Sequence, residues 1–311
     1  MLLTPIVALA AATLLIPLAA MIWMVRSPAH PAEMVLRALA AGSLVLWSFF
    51  GGLWGVLEFN MRFLLLIVFA LALLQLYLKA REAARAESPG RRWPARLLLA
   101  VGVALNLLVF AGRVPFAEPV DLGFPLTGGT FYVLQGGSSP LTNPLHWNRP
   151  AARYALDLVK FGELGGRAAG IAPYSLKEYA SWDELVYSPC DGTVAEVEAG
   201  LGDNPAGHPD AAAPAGNQIT LTCGRATVLL AHLQKGTLYV AAGDRVKTGQ
   251  PLGTIGNSGD AVEPHLHIQA TIGAAATGQA LPMRFAGRFL TLNSLFIIDD
   301  PNANPPPAPR P

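Results

Sequence analysis

The stretch EPHLHIQA (residues 263–270) places two of the chain's six histidines two residues apart. In a strand, successive side chains point to opposite faces. His265, His267 and Gln269 then share one face, and Leu266 and Ile268 the other. At a rise of about 3.3 Å per residue, the two histidine backbones stand roughly 6–7 Å apart. That spacing suits one metal ligand beside one acid/base group. It suits equally an exposed strand face with two ordinary histidines, so the surrounding stretches must decide.

Before this stretch, ATVLLAHL (226–233) alternates as a strand does. Val228, Leu230 and His232 fall on one face, and Leu229, Ala231 and Leu233 on the other. His232 therefore shares a face with two aliphatics and, taken alone, reads as a packed or rim histidine. Between the two stretches, VAAGDRVKTGQPLGTIGNSGD (240–260) has Gly243, Gly249, Gly253, Gly256 and Gly259 at intervals of three to six residues. Such glycines permit positive-φ turns and close strand crossings. Further strands are expected at TFYVLQG (130–136), RYALDLVKF (153–161), TVAEVEA (193–199) and QITLTCG (218–224). The segment 200–216 reads as an Ala/Pro/Gly loop and PNANPPPAPRP (301–311) as a disordered, Pro-rich tail. Residues 114–300 thus form an all-β domain with many turns, and no 20–50-residue repeat is present.

The N-terminal third is different. The chain of 311 residues is 52% hydrophobic and 14% charged, with a mean hydropathy of +0.39. That is too apolar for a simple soluble protein, and the apolarity is concentrated in residues 1–113. Runs at 2–25, 34–57, 63–78 and 97–112 read as four transmembrane helices. The segment 79–96 holds six Lys/Arg against two Glu, so the positive-inside rule places it in the cytoplasm. The N-terminus and everything after Arg113 then lie outside. No basic residue precedes the first run, so it does not read as a cleaved signal peptide.

Residues 114–311 carry 12 Lys/Arg and 17 Asp/Glu, a net of −5. A mildly acidic domain offers no electrostatic case for nucleic acid. The only cysteines, Cys190 and Cys223, both lie in this external part. Two free thiols or a metal pair are alternatives, but neither cysteine has a C-x-x-C partner, and an outside location permits a disulfide.

The ordered pieces SPCDGTVAEVE, GNQITL, LLAHL, GDRVKTGQPLGTIGNSG and PHLHIQ resemble the lysostaphin-type (LytM-like) zinc metallopeptidases, in a membrane-anchored branch. The match covers roughly 123–295. The resemblance implies a mostly antiparallel β core, built on a duplicated hybrid motif, with a groove and one Zn²⁺. It implies action on peptide cross-links of bacterial peptidoglycan. Carried over residue by residue, it makes His267 a zinc ligand and supplies Asp157, from YALDLV, as another. It makes His265 and His232 the groups acting on the attacking water and the scissile carbonyl, without saying which does which.

One position departs from the pattern. The resemblance calls for a histidine four residues before Asp157, where this chain has Arg153. A cation cannot bind zinc. His146, 11 residues before Asp157, can replace it only if the chain between them loops back, which Asn148, Arg149 and Pro150 allow. His146, Asp157 and His267 would then be the three protein ligands that leave a catalytic zinc one open position. Asn217 is a candidate for holding the substrate backbone, or simply a turn residue. Tyr154 and His208 are weaker candidates for the groove.

These residues point to a membrane-anchored zinc endopeptidase outside the cytoplasmic membrane, with the bilayer and peptidoglycan peptide as partners and a membrane-protein partner left open. A degenerate relative that binds cell wall or activates another hydrolase is the alternative, with Arg153 in its favour. A biotinyl or lipoyl carrier is disfavoured, because no Met-Lys pair is present and carriers have no use for PHLH.

Overall fold

A computed structural model of the chain describes residues 3–26, 30–83, 92–162, 165–170 and 172–298. The Pro-rich tail 301–311 and the middle of the basic segment, 84–91, lie outside the described residues. The fold divides into two compact units, Met1–Ala111 and Gly112–Pro311.

The first unit is helical: α1 (Leu3–Arg26), α2 (Pro31–Gly51), α3 (Trp54–Leu57), α4 (Met61–Ala83) and α5 (Trp93–Ala111). All but α3 are long and apolar enough to cross a membrane. Leu71, Leu107 and many other large apolar side chains face outward, while Met24, Ala41 and Leu44 are buried between helices. Such a distribution fits helices solvated by lipid. The second apolar run is not one helix to residue 57, as expected, but stops at Gly51. There the Gly52 N–H returns to the Ser48 carbonyl (2.9 Å), and Thr13 Oγ1 accepts the Leu53 N–H (3.0 Å). A Cβ on Gly52 would lie 2.3 Å from Thr13 Cγ2, so only glycine allows this close turn. Arg37, the charge early in that run, is neutralised by Glu33 one turn away (2.6 Å).

The second unit is all-β. Its strands begin with β1 (Val120–Leu122), β2 (Gly129–Gln135), β3 (Leu156–Lys160) and β4 (Leu185–Tyr187). β5 (Gly192–Glu198), β6 (Asn217–Cys223) and β7 (Ala226–Leu233) form a meander. β8 (Arg245–Val246), β9 (Pro251–Thr254) and β10 (Leu266–Ile272) come next. β11 (Gln279–Leu281), β12 (Met283–Phe285), β13 (Arg288–Phe289) and β14 (Leu295–Ile298) come last. A nine-stranded antiparallel sheet runs β14-β2-β3-β10-β7-β6-β5-β8, with β11 also on β10. The six strands expected from the sequence are all present. The one expected to begin at Arg153 begins instead at Leu156, because residues 150–152 make a 3-10 turn first.

The alternation of β10 sets the two sides of this sheet. Leu266, Ile268 and Ala270 pair with Leu158, Leu230 and Val228 on the inner side. These residues join Phe131, Ile219, Leu221, Val186 and Phe285 in one buried core, closed by β1-β12-β13 and by the β4–β9 pair. Each fully buried Leu, Ile or Phe contributes about 1.5–3 kcal/mol relative to exposure. His267 and Gln269 are thereby forced to the outer side. Cys190 and Cys223 are joined, with Cα atoms 5.8 Å apart, and tie the β4–β5 turn to the end of β6. Closing that 33-residue separation stabilises by up to about 4 kcal/mol on the chain-entropy account.

Candidate metal centre and active site

The register of the sheet brings the first two site residues together. His267 on β10 stands opposite Asp157 on β3 and opposite Ala231 on β7. Its Nδ1 lies 3.0 Å from Asp157 Oδ1. His146 arrives from outside the sheet. Its segment curls through successive turns, with Trp147 N–H on the Asn143 carbonyl (2.9 Å) and Arg149 N–H on the His146 carbonyl (2.8 Å). Asn143 closes the curl by donating from Nδ2 to the carbonyls of Arg153 and Ala155 (both 3.1 Å). His146 Nε2 ends 3.5 Å from Asp157 Oδ2. Ligand-capable atoms of His146, Asp157 and His267 all lie within 4.8 Å of one another, and all three side chains are buried. Arg153 takes no part: its guanidinium stacks 3.9 Å from the centre of the Trp147 ring.

The neighbours assign each imidazole a tautomer. Asn143 Nδ2 is committed as a donor, so its Oδ1 accepts from His146 Nδ1 (2.9 Å), leaving the Nε2 lone pair toward Asp157. Gln269 Nε2 donates to the Ala275 carbonyl (2.7 Å), so its Oε1 accepts from His267 Nε2 (3.0 Å), and His267 Nδ1 is turned toward Asp157 Oδ1 (3.0 Å). Two imidazoles, each oriented by an acceptor behind it, and one carboxylate suit the donor chemistry of a catalytic zinc.

His232 and His265 stand beside this group, with ring centres 4.7 Å apart; His232 is 5.8 Å from His267. The alternation of β7 put His232 on the inner face, and this is corrected by a β-bulge. The β6–β7 register slips between Asn217 and Ile219, and His232 adopts φ 64°. Leu233 takes the inner position and His232 turns outward. A left-handed backbone costs a non-glycine residue about 1–2 kcal/mol. It is held there by His232 N–H on the Ala215 carbonyl and Gly256 N–H on the His232 carbonyl (both 3.0 Å). Gly256 is needed at this crossing, since a Cβ would sit 2.5 Å from Gln234 Cα. The two histidines match in one respect. His232 Nδ1 donates to the Ser258 carbonyl (2.9 Å) and His265 Nδ1 to the Glu263 carbonyl (2.8 Å), so each keeps an Nε2 lone pair.

Burial sets the charges. It pushes His146 down to about 4, against the opposing charge of Asp157. It pushes His232 well below the ordinary histidine value, helped by His265 and His267. For Asp157 burial works upward, but His146, His265 and His267 outweigh it and hold the carboxyl well below the usual carboxylate range. At neutral pH, Asp157 is ionised and both of these histidines are neutral, the states a metal ligand and a general base require.

Other candidates fall elsewhere. Asn217 is fully buried, with Nδ2 on the carbonyls of Leu201 and Leu233 and Oδ1 on the Leu201 N–H. It clamps the loop after β5 to β7, so its side-chain amide is bonded within the fold. Tyr154 packs against the Phe289 ring, and exposed His208 bonds its own loop at Ala206. Asn143 and Gln269, the groups behind the histidines, were not anticipated as such. The spacings N-x-x-H and H-x-Q were the available signals. Beyond Gln269 the outer sheet face continues as a groove of about 960 Å³, floored by Gln218, Thr220, Thr227 and Leu229. Ala215 and Ala275, which hold His232 and Gln269, stand in its walls.

Residues 178–279 match Peptidase family M23, so the chain carries an M23 domain, of the LytM-like kind the motifs suggested. Among solved structures it is similar to a zinc-containing peptidase from Vibrio cholerae, at 21% identity and a TM-score of 0.31. That likeness covers 53% of this chain and 41% of the other, so this chain spans well under two thirds of that protein's length. It is also similar to the catalytic domain of the antimicrobial peptidase lysostaphin from Staphylococcus simulans, at 23% identity and a TM-score of 0.23, over 37% of this chain and 86% of that one.

Proposed function

We propose that the chain is a membrane-anchored zinc endopeptidase that hydrolyses peptide cross-links of the bacterial cell wall outside the cytoplasmic membrane. The observation that carries this reading is the convergence of His146, Asp157 and His267 beside His232 and His265, each imidazole oriented by a fixed acceptor behind it. His146 through Nε2, Asp157 through its carboxylate and His267 through Nδ1 would hold the zinc. A bound zinc supplies Lewis acidity and makes water a nucleophile at neutral pH.

The chain's own groups do the rest. His232 and His265 present Nε2 lone pairs, one to accept the proton of the attacking water and pass it to the leaving amine. The other, once protonated, donates to the oxyanion of the tetrahedral intermediate. The groove along β6 and β7 would receive an extended peptide beside them. Arg153 had favoured a degenerate relative, but its stacking on Trp147 and the arrival of His146 leave the donor count at three. The Cys190–Cys223 disulfide and the basic segment 79–96 both support an external β unit.

The test is hydrolysis of purified peptidoglycan by the full-length chain in detergent micelles, with zinc or with chelator. New amino groups should appear only with zinc, and mass spectrometry of the released peptides names the bond. Zinc bound at one per chain with no new amine would leave a binding or activating role in its place.

A further inference from the structure

Two charged side chains beside the site are incompletely used. Arg149 lies on the curl that delivers His146, its N–H bonded to the His146 carbonyl (2.8 Å). Asp260 lies two residues after Ser258, whose carbonyl orients His232. The two therefore connect the curl that carries His146 to the loop that orients His232. Their contact is one-point and long, Arg149 Nη2 to Asp260 Oδ2 at 3.6 Å. The Asp260 side chain is only 9% exposed, yet its Oδ1 has no hydrogen-bond partner among the described residues. The Arg149 side chain is 53% exposed, and its guanidinium makes no hydrogen bond to the described residues.

The neighbouring arginines differ. Arg153 is stacked on Trp147, and Arg167 is held by both oxygens of Glu263 (2.7 and 3.0 Å). A single contact of 3.6 Å is longer than a hydrogen bond, so the Arg149 guanidinium is only loosely engaged by Asp260. A guanidinium fork is matched to a carboxylate through two parallel bonds of about 2.7–2.9 Å, and this fork is unfilled.

We propose that Arg149, held in place by Asp260, anchors a substrate carboxylate at the mouth of the site and selects peptides that carry a free carboxyl group near the scissile bond. The proposal rests on the peptidase reading for its place in catalysis, but the binding step is measurable without it. Asp260 acts as a positioning residue: its single contact to Nη2 tethers the guanidinium and leaves the rest of the fork open.

The probe is a cross-linked dimeric peptide from peptidoglycan, with amino groups acetylated and carboxyl groups either free or converted to carboxamides. Equilibrium binding is measured on the full-length chain in micelles with chelator present, so that nothing is cleaved. The free-acid form should bind about 10- to 100-fold more tightly than the carboxamide, as expected for a bidentate charge-assisted contact. Arg149→Gln should bring the acid form down to the carboxamide's affinity and leave the carboxamide unchanged, and Arg149→Lys should recover part of the difference. Equal binding of the two forms by the wild type, or an equal loss of both in Arg149→Gln, overturns the proposal. Cleavage with zinc is then read separately. Discrimination in binding without cleavage upholds the carboxylate anchor and removes the peptidase reading. Cleavage without discrimination does the reverse.

Discussion

Asn143 Oδ1 lies 2.9 Å from His146 Nδ1, while the same side chain donates to the carbonyls of Arg153 and Ala155. One amide thus closes the curl that brings His146 to Asp157 and also fixes which imidazole nitrogen is left to bind. Asn143→Ala should weaken zinc binding by about 10- to 100-fold, the usual effect of losing a group that orients a metal-binding histidine. Competition titration against a zinc chelator measures this. An unchanged affinity would show that Asn143 only shapes the turn.

Arg153 occupies the place where the resemblance calls for a ligand, yet its guanidinium lies on Trp147. Arg153→Ala should therefore keep one zinc per chain, whereas His146→Ala should lose it. Metal analysis of the two purified variants separates the cases. Loss of zinc from Arg153→Ala with zinc retained in His146→Ala would exclude His146 from the site.

His232 is turned toward the site by a backbone of φ 64° but stands outside the His146–Asp157–His267 group. His232→Ala should keep its zinc and lose about 10²- to 10⁴-fold in hydrolysis rate, the range for a general acid–base group. Zinc content and initial rates on soluble peptidoglycan fragments are the two readings. A variant that loses its zinc would move His232 among the ligands.

How far the sequence was legible follows from these residues. The period-two pattern of EPHLHIQA put His267 and Gln269 on one face and Leu266 and Ile268 on the other, and this held because β10 is regular, with Leu266 and Ile268 in the core. The same rule failed for His232, because one extra residue in a strand reverses every later side chain, and a bulge leaves no mark on hydrophobic alternation. Asn217 begins β6 rather than a turn, and its role as a clamp was not legible, since the Leu201 and Leu233 carbonyls it binds belong to other segments. The second apolar run looked continuous because composition ignores Thr13, whose hydroxyl on α1 receives the Leu53 N–H where α2 has ended. His146 was reachable in principle from Asn148, Arg149 and Pro150. Its partner Asn143 left only the short N-x-x-H spacing, which does not say that the two side chains meet.

The last prediction concerns pH in the absence of metal. Burial holds His146 near 4 and His232 well below its ordinary value in the folded chain, while both return to about 6.5 when unfolded. Their folded values are depressed, so below about 6.5 the unfolded state binds more protons and folding is penalised. The contribution is fully present above about 6.5 and is lost as pH falls toward 4. Asp157, whose carboxyl is also depressed, adds a further loss only below the ordinary carboxylate range. In chelator, hydrogen exchange of the β7 and β10 amides, corrected for the intrinsic rate, should be constant from pH 8 to 7 and should accelerate steadily below about 6.5. Two units need not unfold together, so a local probe is preferable to a single melting temperature. His146→Gln with His232→Gln should flatten the slope between pH 6.5 and 4. An equal slope in wild type and double variant would mean that these two imidazoles are not held neutral by burial.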